Sequence, residues 1–144
     1  MAREDTVRLL RECDAGVKMG VQSIESVVEK ISAEDFRQVL TDSRQRHDKL
    51  DREIRRLLKK YGDEGKSPNP MAKGMSWMKT NAMLMMDGSD QTIADLMTDG
   101  CNMGVKSLHK YLNQYQAAED EAKDIAKKLI NLEQGLAVDI RSWL

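Results

Sequence analysis

The sequence predicts an all-α protein, a single four-helix bundle built from two similar antiparallel helical hairpins. Three observations predict it. Only two prolines occur in 144 residues, Pro68 and Pro70, side by side at mid-chain, so the strongest helix breaker is confined to one connection. Four long stretches carry apolar residues at steps of three and four, the period of a helix with one face on a core. The pattern Cys-x-x-Gly-Val-Lys occurs twice, at Cys13–Lys18 and Cys101–Lys106, and a repeated hairpin is a standard way to assemble a bundle.

The first helix is expected over about residues 5–31. Leu9, Cys13, Val17, Ile24, Val27 and Ile31 form its stripe, with Gly16 and Gly20 on the packed side. Glycines spaced four apart there weaken the helix by about 1 kcal/mol each and are read as places where another helix approaches closely. Ser32 is expected to cap a second helix over 32–61, with Asp35 at the capping-box position. Phe36, Leu40, Ser43, His47, Leu50, Ile54, Leu57 and Tyr61 mark its inner face and Gly62 its end. A short crossover helix is expected over 71–86, with Met71, Met75, Met78, Ala82 and Met85 on one face and Trp77 nearby.

Asp87–Asp90 reads as a turn and cap. A third helix follows over 91–115 and a fourth over 118–143, their boundary falling between Asn113 and Glu119. The third carries Ile93, Met97, Cys101, Val105, Leu108, Leu112 and Tyr115, and the fourth Ala122, Ile125, Leu129, Leu132, Leu136 and Ile140. Aligning the two Cys-x-x-Gly-Val-Lys patterns superposes the stripes of the first and third helices. The second and fourth superpose with Leu40 on Ala122, His47 on Leu129 and Leu50 on Leu132.

Composition narrows function mainly by exclusion. One third of the residues are charged, yet the net charge is −1. That balance provides no footprint for nucleic acid or an anionic membrane. Mean hydropathy is −0.60 and no long apolar run suggests a membrane span. The charged start, Met1-Ala2-Arg3-Glu4-Asp5, lacks the apolar core of a secretory signal. A cytoplasmic protein is therefore expected. Neither phosphate-binding glycine loop nor nucleophile motif occurs, and Cys13 and Cys101 have no metal-finger spacing.

The residues Leu10 to Val21, Leu-Arg-Glu-Cys-Asp-Ala-Gly-Val-Lys-Met-Gly-Val, resemble the first helix of small bacterial ferritin-like proteins of unassigned function. Lys73–Lys79 resembles the Gly-Trp-Met stretch before that family's third helix, and Gly100–Tyr111 stands where its third helix has a Cys- and Gly-containing segment. The resemblance implies a ferritin-like bundle, two hairpins joined by a crossover containing a short helix, and no settled activity.

A ferritin-like di-iron centre takes a Glu from each of two helices and Glu-x-x-His from each of the others. Here Arg44 precedes His47 by three residues, and the fourth helix has Ala126 and Leu129 at the matching positions. No classical metal site and no cofactor are expected. His47 is read as a core imidazole satisfied by Ser43 or a backbone carbonyl. The alternative is an iron or copper site of non-standard type, using His47 with Cys13, Cys101 and Asp14, or with Glu25, Asp95 and Asp99. His109 is read as a surface residue. The leading expectation is a non-catalytic module that self-associates or binds another protein, through Trp77, Met75, Met78, Tyr111 and Tyr115. A methionine-lined small-molecule pocket is a third possibility.

Overall fold

Leu9, Cys13, Val17, Ile24 and Val27 recur on one face of the first helix, and each is almost wholly removed from solvent. The computed structural model describes residues 1–65 and 88–144. Among them are four long helices: α1 (Ala2–Val27), α2 (Glu34–Lys60), α3 (Asp90–Gln114) and α4 (Asp120–Asp139). Short 3-10 turns follow α1 at Val28–Lys30 and α4 at Arg141–Trp143. The fold is an all-α bundle, with no strand among the described residues. The expected crossover helix over 71–86 lies outside them, and so do Trp77, Met75 and Met78.

Long-range hydrogen bonds fix the helix directions. Asp90, the first residue of α3, accepts the backbone N–H of Ser32 at 2.8 Å and of Ala33 at 2.9 Å. The start of α3 therefore sits on the α1/α2 turn. At the other end, Asp5 accepts the N–H of Ala117 at 3.0 Å and Thr6 Oγ1 accepts that of Glu119 at 2.8 Å. Tyr61, capping the end of α2, donates its hydroxyl to Glu121 on α4 at 2.8 Å. The start of α1, both ends of the α3/α4 turn and the end of α2 thus share one end of the bundle. α1 and α4 run one way and α2 and α3 the other. α2 has 27 residues, about 40 Å at 1.5 Å per residue, so its end and the start of α3 lie a bundle length apart.

The Asp90 contact corrects one sequence reading. Ser32 was expected to cap α2, but the N-cap residue is Ala33, with no side-chain cap bond. The carboxylate of Asp90, arriving from α3, takes the amides of Ser32 itself and of Ala33. In a capping box Asp35 would reach back to the Ser32 N–H, and the distant carboxylate already holds that group. Asp35 accordingly forms no capping box.

The buried apolar residues fall into two clusters. One, toward the end with the α3/α4 turn, holds Leu9, Leu10, Cys13, Leu50, Ile54 and Leu129, among others. The other, toward the α1/α2 turn, holds Ile24, Phe36, Leu40, Met97, Cys101 and Ile140. Trp143 stacks on Phe36, with ring centroids 4.8 Å apart and planes 9° apart, which binds the C-terminal turn to the start of α2. Polar side chains occupy the interior between the clusters.

Asp90→Ala removes the acceptor for two turn amides. We expect it to lower stability by about 1–2 kcal/mol, as loss of a helix cap does, measured by urea unfolding followed by circular dichroism.

Candidate functional site

His47 stands mid-way along α2, fully buried, where the helical repeat turns it inward between Leu40 and Ile54. Its Nδ1 lies 2.7 Å from the carbonyl oxygen of Ser43, one turn earlier. A carbonyl only accepts, so Nδ1 carries a proton and donates it. Its Nε2 lies 2.6 Å from Oε1 of Glu133 on α4. A proton occupies that short contact as well. The pair therefore holds two protons, either as imidazolium with carboxylate or as imidazole with carboxylic acid, and is neutral overall in both forms. Burial alone would pull the His47 pKa down, but the hydrogen bond and charge of Glu133, with the Ser43 carbonyl, raise it above its ordinary value. The imidazolium–carboxylate form is favoured.

Two glycines face the pair from the remaining helices. A Cβ on Gly20 of α1 would lie 2.7 Å from two atoms of the His47 ring, and one on Gly104 of α3 would lie 3.8 Å from a Glu133 oxygen. Gly20 is thus needed for the ring to fit. The close approach expected at this glycine is to a side chain as well as to a helix. Gly16, by contrast, leaves only ordinary contact distance to Leu129.

A second polar cluster lies between α1 and α2. Asp14 is fully buried and bonds Lys18 Nζ at 2.7 Å. Asp51, one turn beyond His47, is buried and bonds Arg55 Nε at 2.9 Å. Burial, followed by the neighbouring Asp14 carboxyl, pushes the Asp51 pKa up to about 7, against the pull of Arg55 and Lys18.

The sequence-derived candidates separate in space. Cys13 packs in one apolar cluster and Cys101 in the other, while Asp14 is engaged with Lys18 and Asp51. His47, Cys13, Cys101 and Asp14 therefore do not form one site. Glu25 is exposed and paired with Arg44 at 2.8 Å, and Asp95 and Asp99 face outward. His109 is exposed, as its position in the repeat suggests. Tyr111 and Tyr115 stack with centroids 6.3 Å apart, half-buried against the first cluster.

Burial, with the charges of Glu12 and Asp14, pushes the Cys13 thiol up to about 12. Burial, then the charge of Glu133 and a hydrogen bond to it, pushes Cys101 up as well. Neither is held as a thiolate poised for nucleophilic attack. No group of three acidic, histidine or cysteine side chains suited to a metal ion occurs among the described residues.

The residue that sequence reasoning missed is Glu133. It lies beside the stripe residue Leu132 and reads as a surface acid on α4. With Leu50 aligned on Leu132, Asp51 and Glu133 take the same place in the two hairpins, an acid next to an inward leucine in each. That coincidence was the available signal.

A groove of about 110 Å³ lies between α2 and α4, lined by Val39, Ser43, Arg46, Leu132, Gly135 and Leu136 among others. It is small beside the ~300–1,000 Å³ of ordinary ligand sites and contains no methionine. Among the described residues, no helix is long and apolar enough to cross a membrane. Comparison with family models, curated proteins and solved structures gives no match to this chain.

Gly20→Ala forces a methyl group into the His47 ring, which is held at both nitrogens and cannot turn away. We expect a loss of about 1–3 kcal/mol, as for other overpacked cores, in equilibrium unfolding. The raised pKa also fixes the sign of a pH dependence. The stabilisation due to His47 is full below about pH 6.5, the ordinary value of the group, and is lost as pH rises through the higher folded value. Thermal melts across that window should show the decline in the natural protein and its absence in His47→Gln.

Proposed function

We propose that this protein is a non-catalytic helical bundle on a ferritin-like plan, acting as a self-associating or protein-binding module without a classical di-iron site. The observation that carries the non-catalytic reading is the bond from His47 Nε2 to Glu133 Oε1, 2.6 Å long, with Nδ1 engaged by Ser43. The imidazole in the core spends both nitrogens on holding helices together. The helix directions support the plan, because α1 and α4 oppose α2 and α3, the order that a single long crossover produces.

The residues do not fit a di-iron centre. α2 provides His47 with Arg44 in the place of the required acid, and Arg44 is turned outward to Glu25. α4 provides Glu133 without a histidine three residues later. α1 and α3 face the pair with Gly20 and Gly104 in place of carboxylates. For the binding surface, Met103 and Val138 are about half exposed, and Tyr111 and Tyr115 present a stacked pair at the edge of the core.

One observation favours a second reading, a single iron or copper ion. A ligand histidine characteristically donates its far N–H to a carbonyl, as His47 does to Ser43, and a carboxylate, Glu133, faces its other nitrogen. An ion between them would meet a nitrogen and an oxygen donor.

Two measurements decide. Sedimentation velocity across a wide concentration range should show a reversible dimer or larger species; a monomer throughout defeats the self-association reading. Elemental analysis after anaerobic loading with Fe(II) and Cu(I) should show no stoichiometric metal. Metal retained in the natural protein and lost in His47→Ala would establish the second reading.

A further inference from the structure

The outward face of α3 carries a charge pattern that the fold of the single chain does not use. Asp95, Asp99, Lys106 and Lys110 are all exposed. At 3.6 residues per turn they lie within about 60° of one another, opposite the buried Met97, Cys101 and Leu108. Among the described residues none of the four enters an ion pair. Several charges on the other helices are paired, by contrast: Arg44 with Glu25 at 2.8 Å, Lys128 with Glu53 at 3.0 Å and Lys60 with Glu121 at 3.5 Å.

The order of these charges works against the isolated helix. Asp95 and Asp99 stand four residues apart, as do Lys106 and Lys110, and like charges at that spacing repel each other. The helix macrodipole does not account for them. It acts within the first and last turns, where α3 has Asp90 and no basic residue. The order is symmetric instead. Asp99 and Lys106 lie about 5 Å on either side of the midpoint between Asn102 and Met103, and Asp95 and Lys110 about 11 Å. A twofold axis through that midpoint, perpendicular to the helix, sets Asp95 against Lys110 of a second copy and Asp99 against its Lys106. Met103, a flexible apolar side chain 47% exposed, stands beside the axis, where two copies of it meet.

We propose that α3 pairs antiparallel with α3 of a second copy of this chain, through the face that Asp95, Asp99, Met103, Lys106 and Lys110 form. The proposal rests on the self-association reading and names its surface. Each copy supplies both the acidic and the basic half, so the contact is isologous and closes at the dimer. A parallel pairing would set acid against acid and base against base. Exposed ion pairs are individually weak and screened by salt, so the dimer is reversible and loosens as ionic strength rises.

The test is sedimentation velocity on the full chain and on charge-reversed variants. Lys106→Glu with Lys110→Glu makes the face wholly acidic, and Asp95→Lys with Asp99→Lys makes it wholly basic. Lys59→Glu with Lys127→Glu, on α2 and α4, matches the first variant in net charge and is the control. All these positions are exposed, and circular dichroism checks that the helices persist. Each face variant should raise the dimer dissociation constant by about tenfold to a hundredfold, as ion pairs give way to repulsions. The control should leave the constant unchanged, and mixing the acidic with the basic variant should restore the dimer. A natural dimer that both face variants retain, or face variants that stay apart on mixing, overturns this surface and leaves self-association standing. A natural protein that is monomeric throughout overturns both.

Discussion

The two hairpins are held in register at mid-bundle by the bond between His47 and Glu133. Its donors and acceptors leave little freedom. The Ser43 carbonyl requires a proton on Nδ1, Glu133 requires one at Nε2, and Gly20 must lack a side chain for the ring to lie where both are met. Buried ion pairs contribute little net stability compared with well-packed apolar residues, yet removing one partner costs about 3–5 kcal/mol, because the other is stranded. The pair therefore acts on specificity. If α4 slides one residue against α2 so that Leu132 takes the place of Glu133, the imidazole loses its acceptor.

The ends of the bundle repeat the device with backbone groups. Each hairpin turn is capped by the other hairpin: Asp90 of α3 serves the α1/α2 turn, and Asp5 and Thr6 of α1 serve the α3/α4 turn. Helix ends expose amides that need acceptors. Supplying them from a distant helix makes local capping depend on correct assembly. Apolar stripes alone tolerate sliding and exchange of partners, whereas caps at both ends and a polar bond at the middle are satisfied together in one arrangement only.

The part of this that the sequence displays is the part that repeats. Leu9, Cys13, Val17 and Ile24, or Leu40, His47, Leu50 and Ile54, announce helices because their spacing is periodic, and the inward place of His47 follows from it. Glu133 and Asp51 stand one residue off the stripe, where an acid reads as solvated, and a difference of one position on a helix is too small to mark burial. Their partners lie on other helices, 86 residues from Glu133 for His47, beyond any local pattern. Ser32 shows the converse failure. Its local chemistry suits a cap, yet the helix begins one residue later and a carboxylate 58 residues away holds the Ser32 amide itself.

Burying carboxylates obliges a bundle to supply compensating positive charge. In a bundle built around iron, the ions supply it from outside the chain. Here the chain supplies it itself: Lys18 beside Asp14, Arg55 beside Asp51, and the His47 imidazolium beside Glu133. Three acids are thereby balanced by two fixed cations and one imidazolium. Fixed cations are indifferent to conditions near neutrality, but protons are not. The internal balance is therefore a function of pH, concentrated on α2, which carries both His47 and Asp51 one turn apart.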